Sequence, residues 1–215
     1  MTGAVADVVS DLEHCAILPV IMIDDPSRAV DLATALADGG IGCAEITLRT
    51  DAGVRAIAAI ASALPDFVIG AGTVLSADAV DRVIDAGARF VVSPGLDDEV
   101  VERARNYGSL ALPGVATASE VQRALRNGLD RLKFFPSEQL GGRAMIDALA
   151  APFSSVQFVA SGGVGIHNVS TYLESPAVFA VSGSWMATRS HIADADWDSV
   201  RRLAAEAVAV ARNPA

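Results

Sequence analysis

The chain has 215 residues, of which 52% are hydrophobic, and this size and composition suit one compact domain with a substantial core. Its formal net charge of −10 excludes a general nucleic-acid-binding protein, which needs a basic surface. The two cysteines, Cys15 and Cys43, do not make a disulfide framework and indicate a reducing cytosol. We expect neither a transmembrane helix nor a signal peptide, because no apolar run reaches about 18 residues and the first residues carry acids.

Short apolar runs alternate with amphipathic segments along the chain. After a helical pattern in VADVVSDLEH, eight apolar runs predict β-strands that begin at Ala16, Cys43, Phe67, Arg89, Ser109, Arg131, Val156 and Val178. The segments between them have helical patterns, such as TASEVQRALRNG, where Thr117 and Glu120 predict a capping box. This rhythm predicts an α/β fold: a single-domain (β/α)8 TIM barrel over residues 1–215 with an extra N-terminal helix. A doubly wound open sheet is the alternative, but it gives no reason to stop at eight strands.

The second predicted strand has polar residues at alternate positions. Glu45, Thr47 and Arg49 share one face, and Ile46 and Leu48 share the other. Because the outer helices need an apolar face to pack on, the charged face must point into the barrel. Buried glutamate and arginine are costly unless they are paired or used. The alternatives are an edge strand with a solvated face, or a Glu–Arg pair with a structural role.

The sequence contains fifteen arginines and a single lysine, Lys133. Alternation places Leu132 and Phe134 against the helices and Lys133 in the lumen. Arginine keeps its proton at any ordinary pH, whereas a desolvated lysine can become a neutral amine and attack a ketone. Lys133 near Glu45 therefore predicts a nucleophile with an acid/base partner. The alternatives are a purely structural Lys133–Glu45 pair, or arginine-rich codon usage with one leftover lysine.

Glycine-containing motifs end three predicted strands, at the end of a barrel that holds its site. In the segment 70–73, GAGT, glycines allow close backbone approach and Thr73 can donate to a substrate carboxylate. The segment 161–163, SGG, follows the seventh strand, and the segment 182–184, SGS, follows the eighth. Backbone N–H groups at such turns bind phosphate without lysine, and barrels often bind phosphate after these two strands. We expect an anion there, although each motif alone is also typical of a simple turn.

None of the three histidines follows a predicted strand together with a carboxylate partner. We expect His14, His167 and His191 on helix surfaces, and we expect neither a metal ion nor an organic cofactor. A competing interpretation is a phosphosugar-binding barrel that isomerises, epimerises or only binds, without a covalent step. It explains the glycine turns but not a lone inward lysine.

Taken together, the motifs resemble those of the 2-keto-3-deoxy-6-phosphogluconate (KDPG) aldolases, also called 4-hydroxy-2-oxoglutarate (KHG) aldolases. The resemblance runs from about Ile17 to the last helix through PVIMI, EITLRT, GAGTVL, VSPGL, LPGVAT, KFFPSE, SGGV and SGSW. It implies a class I aldolase that cleaves KDPG to pyruvate and glyceraldehyde 3-phosphate, with KHG cleavage to pyruvate and glyoxylate as a second activity. An aldolase for the galactonate-series epimer is the alternative within this class.

The resemblance also implies roles for individual residues. Lys133 would form a Schiff base with the substrate, and Glu45 would be the general acid/base. Substrate binding would fall to Arg49, Thr73, Pro94 and Ser161, and phosphate binding to Gly162, Gly163, Gly183 and Ser184. The resemblance further implies a cytoplasmic homotrimer that acts on a small phosphorylated keto acid and needs no metal, nucleic acid or membrane.

The sequence departs from the family pattern at three places. Ser161 stands where the family often has threonine, and SGSW stands where Gly-Gly-Ser-Trp is common. Asp24 and Asp25, after the first strand, are more acidic than the resemblance leads us to expect. We expect the first two departures to bear on sugar specificity, and the acidic pair to lower the affinity for a dianionic substrate.

Overall fold

The protein is a closed barrel of eight parallel strands, as seen in a computed structural model that describes residues 3–212, with the backbone alone for residue 4. The strands follow one another in sequence order, and the barrel closes where β1 pairs with β8. The prediction of a (β/α)8 barrel is confirmed, and all eight predicted strands are present. Their bounds are β1 Ile17–Ile21, β2 Cys43–Thr47, β3 Val68–Gly72, β4 Phe90–Ser93, β5 Leu110–Val115, β6 Arg131–Phe134, β7 Gln157–Ser161 and β8 Val178–Gly183.

Helices follow the strands and form the outer layer, and the extra N-terminal helix is also confirmed. They are α1 Gly3–Cys15, α2 Ala29–Asp38, α3 Gly53–Ala63, α4 Ala77–Asp85, α5 Asp98–Asn106, α6 Ala118–Arg126, α7 Gly142–Ala150, α8 Val169–Leu173, α9 Arg189–Ala193 and α10 Trp197–Arg212. The capping box predicted at α6 is present, with Thr117 and Glu120 each bonded to the other's backbone. The sequence patterns missed α9, because five residues are too few to show a helical period.

Strand alternation divides the barrel into an apolar shell and a polar lumen. On β2 and β6, Ile46, Leu132 and Phe134 are fully buried against the helices. Burial of one such side chain contributes roughly 1.5–3 kcal/mol to folding. Glu45 and Lys133, at the alternate positions, lie in the lumen, as the alternation predicts. The two charged side chains therefore project away from the apolar shell that stabilises the fold.

Helix α1 covers the N-terminal end of the barrel. It contacts β1, β2, β5 and β8, and two ion pairs anchor it. Arg131 at the start of β6 lies 3.0 Å from Glu13, and Arg89 lies 3.7 Å from Asp11. With this end covered, access to the lumen is through the C-terminal end of the strands.

The histidines differ from the prediction that all three lie on helix surfaces. His14 is exposed in α1, as predicted, but His167 lies in the turn before α8. His191 lies in α9 and is half-buried, and its Nδ1 atom has no hydrogen-bond partner among the described residues. The prediction was wrong for His167, because the turn after β7 could not be placed from the hydrophobic pattern, whereas His191 lies in a helix as predicted and is partly exposed.

Candidate active site

A cavity of about 240 Å³ opens at the C-terminal end of the barrel. All ten residues to which a role was assigned line it, together with five to which none was assigned: Val20, Thr47, Phe135, Val164 and Ser182. Cavities of about 600 and 550 Å³ open at the N-terminal ends of the strands, and smaller ones of about 360 and 270 Å³ lie at the surface of α5; none of the four is lined by Lys133 or Glu45. The C-terminal cavity is the candidate site because the lumen charges meet there.

Lys133 and Glu45 face each other at the floor of the cavity. The Lys133 Nζ atom lies 3.7 Å from Glu45 Oε1, and their side chains are only 9% and 1% exposed. Burial raises the pKa of Glu45, and the nearby Lys133 charge offsets this only in part. The second carboxylate oxygen, Oε2, has no hydrogen-bond partner among the described residues. The pair therefore places an amine beside a carboxylate that accepts protons more readily than an ordinary glutamate.

Two neighbours define the surroundings of this pair. A Cβ atom built on Gly72 of β3 would lie 1.9 Å from Glu45 Oε1, so the absence of a side chain at Gly72 makes room for the carboxylate. The Phe135 ring centroid lies 5.2 Å from Lys133 Nζ, within the range of a cation–π contact. From the sequence, Gly72 was expected only to let the backbone come close to a ligand. Its contact with Glu45 could not be predicted, because it depends on the pairing of β2 with β3.

Thr73 directly follows β3 and has a left-handed backbone, with φ of 56°. This conformation is unusual for a β-branched residue, and such strain is concentrated at functional sites. The bonds around it are specific: Val74 donates to the Val92 carbonyl at 3.1 Å, and Leu48 donates to the Gly72 carbonyl at 2.8 Å. They hold Thr73 at the wall of the cavity.

Two more predicted residues form the rim. Arg49 is exposed and, within residues 3–212, its guanidinium pairs with no carboxylate. Pro94 follows β4 in a turn where Ser93 Oγ donates to the Gly95 carbonyl at 2.7 Å. The free charge of Arg49 is available to an acidic ligand at the mouth of the cavity.

The glycine turns after β7 and β8 lie on one side of the cavity. Gly162 and Gly163 have φ of 96° and 80°, in the left-handed region that favours glycine. Within the described chain, the N–H groups of Gly162, Gly163, Val164 and Ser184 donate to no other backbone group. Unpaired N–H groups that surround one space are suited to bind an anion.

Asp24 and Asp25 do not leave two free negative charges near the mouth. Arg189 of α9 donates to both carboxylate oxygens of Asp24, at 2.5 and 2.6 Å. The Asp25 carboxylate accepts a bond from Ser27 N at 3.0 Å and caps a short 3-10 helix. Because Arg189 is 165 residues from Asp24, no local sequence pattern indicates that this charge is matched.

The fold and the site define a (β/α)8-barrel protein in which an amine and a carboxylate meet at the floor of a C-terminal cavity. The family model described as KDPG and KHG aldolase matches residues 8–203. The chain belongs to the KDPG and KHG aldolase family, whose members are aldehyde-lyases.

Individual relatives agree with this assignment. The chain is 42% identical over 199 residues to a 2-dehydro-3-deoxy-phosphogluconate aldolase of Treponema pallidum, covering 93% of this chain and 95% of the relative. It is 39% identical over 192 residues to the KHG/KDPG aldolase of Escherichia coli, covering 89% and 90%. A KDPG aldolase of Legionella pneumophila, solved with pyruvate captured as a covalent carbinolamine intermediate, has a TM-score of 0.89 and 35% identity, covering 92% and 96%.

Residues 3–212 contain no group of three or more His, Cys, Asp or Glu side chains that could hold a metal ion. None of the described helices has the length and apolar character needed to cross a membrane.

Proposed function

We propose that the protein is a class I aldolase that cleaves KDPG to pyruvate and glyceraldehyde 3-phosphate, with KHG as a second substrate. The observation that carries this proposal is the buried Lys133–Glu45 pair, 3.7 Å apart at the floor of the cavity. The relatives named above support the substrate, since they are KDPG or KHG/KDPG aldolases. The Legionella structure supports the covalent step, because pyruvate is bound there as a carbinolamine.

In this mechanism Lys133 is the nucleophile. Glu45, whose pKa is raised by burial, takes a proton from the ammonium group and leaves a neutral amine. The amine attacks the C2 ketone to give a carbinolamine. Glu45 then returns its proton to the carbinolamine hydroxyl, which leaves as water, so that a protonated imine and an ionised Glu45 remain. The imine then accepts the electron pair of the C3–C4 bond as that bond breaks.

Glu45 moves the protons of the later steps. Acting directly or through a water molecule, it accepts the proton of the C4 hydroxyl while the aldehyde leaves. It returns a proton to C3 of the remaining enamine, and water then hydrolyses the imine to release pyruvate. Proton transfer by a positioned side chain typically contributes about 10²–10⁴-fold to the rate. The unpartnered Oε2 atom supports this role, because it is free to accept a proton.

The remaining cavity residues hold the two ends of the substrate. Arg49 and Thr73 bind and position the pyruvyl carboxylate near Lys133, and Pro94 and Ser161 contact the substrate beside them. Phosphate is bound by the backbone of the turns after β7 and β8, at Gly162, Gly163, Gly183 and Ser184. The unpaired N–H groups of Gly162, Gly163 and Ser184 support this assignment.

Incubation with pyruvate and borohydride tests the covalent step. Reduction should add one pyruvyl group at Lys133 and abolish activity, because the N-terminus is the only competing amine in the sequence. Lys133→Arg keeps the charge but should form no adduct. Glu45→Gln should still be trapped, while cleavage and exchange of the pyruvate methyl protons slow by about 10²-fold or more. An adduct on the N-terminus alone, or none, would contradict the Schiff-base mechanism.

The same experiment separates the main alternatives. A barrel that isomerises or epimerises phosphosugars without a covalent step would give no pyruvyl adduct. An aldolase for the galactonate-series epimer would give the adduct but would have the higher kcat/KM with that epimer. Comparison of the two epimeric phosphates therefore settles the stereochemistry at C4.

The proposal extends to the assembly, the location and the domain limits. We infer a homotrimer from the family resemblance and from Leu75, a large apolar side chain that is 63% exposed close to Thr73. Two cysteines without a disulfide among the described residues support a cytoplasmic location. The single barrel domain is proposed to include all of residues 1–215. Analytical ultracentrifugation, with Leu75→Glu as the variant, tests the trimer.

A further inference from the structure

Ser182 is the second-last residue of β8, next to the turn proposed to bind phosphate, and its side chain faces the lumen. It pairs with Leu18 of β1 and with Ser161 of β7. Leu18 lies two residues before Val20, which lines the cavity, so alternation puts both on the inner face. Residues at paired positions of parallel strands point the same way. Ser182 therefore lies in the cavity wall at depth, where it is 1% exposed.

The Ser182 hydroxyl has no hydrogen-bond partner within residues 3–212. Two other buried hydroxyls near the lumen have partners within the protein: Thr47 donates to the Ile21 carbonyl at 2.9 Å, and Ser93 donates to the Gly95 carbonyl at 2.7 Å. Buried polar groups in folded proteins are nearly always paired. An unpaired hydroxyl beside a cavity therefore indicates a bond that a bound molecule completes.

The strand register fixes the height of Ser182 above the lysine. Lys133 is level with Val159 of β7, and Val159 is level with Ala180 of β8. Ser182 is two residues beyond Ala180, which is about 7 Å closer to the mouth along the strand. Lys133 marks the position of the ketone carbon, so Ser182 lies at the height of the aldehyde half of the substrate.

We propose that Ser182 is a specificity-determining residue whose hydroxyl binds the C5 hydroxyl of the substrate, next to the carbon that carries phosphate. This inference rests on the proposed aldolase function and goes beyond it. Serine can donate to and accept from such a group. A site built around this bond disfavours a substrate without the hydroxyl, because the serine then stays unpaired. KHG has no C5 hydroxyl, so Ser182 favours KDPG over KHG.

The test compares Ser182→Ala with a matched variant, Thr47→Val, at a hydroxyl that already has a protein partner. Ser182→Ala should lower the ratio of kcat/KM for KDPG to kcat/KM for KHG by about tenfold. Its melting temperature should stay the same or rise, because no bond within the protein is lost. Thr47→Val should lower the melting temperature and leave the ratio unchanged.

Two outcomes would overturn the inference: an unchanged ratio in Ser182→Ala, or a fall in its melting temperature like that of Thr47→Val. Pyruvate and borohydride trapping on the same samples separates this failure from failure of the proposed function. If wild-type protein is trapped at Lys133 but the ratio does not move, only the role of Ser182 is wrong. If wild-type protein is not trapped, the aldolase mechanism fails and this inference fails with it.

Discussion

Gly72 and Glu45 share one space in the lumen: a methyl group on Gly72 would lie 1.9 Å from Glu45 Oε1. The pairing of β2 with β3 brings them together: Glu45 lies opposite Gly70, and Thr47 lies opposite Gly72. The carboxylate thus leans toward β3 over a position without a side chain. The location of the proposed acid/base depends on a glycine that does no chemistry.

Gly72→Ala should therefore displace the Glu45 carboxylate while leaving Lys133 in place. We expect kcat for cleavage to fall by about 10²-fold, as for loss of a general base, while pyruvate is still trapped by borohydride. Gly42→Ala is the matched control, because a Cβ at Gly42 meets nothing within 4 Å, and it should cleave at the wild-type rate. Unchanged cleavage by Gly72→Ala would show that Glu45 needs no such space.

The raised pKa of Glu45 makes a prediction about stability. Well below the ordinary pKa of a glutamate, about 4.3, both the folded and the unfolded chain hold the proton. As the pH rises, the unfolded chain releases it first, so the folded state loses stability until the pH passes the raised pKa of Glu45. Glu45→Gln does not titrate there.

The free energy of unfolding of Glu45→Gln, minus that of the wild type, should therefore increase from acidic to neutral pH. The change of this difference with pH is what tests the pKa. Its value at any single pH also contains the cost of leaving Lys133 without a charged partner in Glu45→Gln. Urea titrations at a series of pH values measure it. A difference that decreases as the pH rises would mean that Lys133 lowers the pKa of Glu45 more than burial raises it.

Ser184→Asp tests the anion site. Its side chain is exposed and lines the cavity, whereas a Cβ on the adjacent Gly183 would lie 2.3 Å from the Trp185 ring. The added charge should repel phosphate and raise KM for KDPG about tenfold or more, with a smaller change for KHG. Ser184→Asn, similar in size but neutral, is the control and should keep a KM near that of the wild type. Equal losses on both substrates in Ser184→Asp would mean that the turn does not bind phosphate.

The two cysteines, at the N-terminal end of the barrel, should differ in reactivity. Both thiols bond to the Ile17 carbonyl, at 3.1 Å for Cys15 and 3.4 Å for Cys43. A hydrogen bond from Cys43 lowers the pKa of the Cys15 thiol to about 7. The same bond, together with burial, raises the pKa of the Cys43 thiol well above its usual range. Iodoacetamide should therefore modify Cys15 at near-neutral pH and spare Cys43, as read by peptide mass spectrometry. Equal labelling of both would contradict this assignment.

Much of the fold could be predicted because its signals are local. Alternation of polar and apolar residues in EITLR and RLKFF predicted that Glu45 and Lys133 point into the lumen. Eight apolar runs separated by helical patterns predicted the barrel. What was missed depends on contacts between segments far apart in sequence. The bond between Asp24 and Arg189 crosses 165 residues, and the hydroxyl of Thr47 is occupied by the Ile21 carbonyl 26 residues away. No periodicity in the sequence encodes such pairs.

The predicted site residues were brought together, yet their strain and surroundings were not foreseen. GAGT predicted a close approach of the backbone, but not the left-handed conformation of Thr73 or the contact of Gly72 with Glu45. The sequence showed Ser182 only as part of a departure from the family pattern. That its hydroxyl has no hydrogen-bond partner among the described residues depends on the positions of its neighbours in the fold. Local patterns thus located the chemistry, and tertiary packing determined which groups are free to take part.

The pairing of β1 with β8 has a consequence for the chain as it leaves the ribosome. Val181 donates to the carbonyl of Ala16, a residue made far earlier, so one edge of β1 has no neighbour until β8 has been made. An unpaired edge next to Ile17, Leu18 and Ile21, all buried in the finished barrel, is a surface on which nascent chains can associate. Strand β8, which is made after the strand that carries Lys133, thereby determines how long this edge stays unpaired during synthesis.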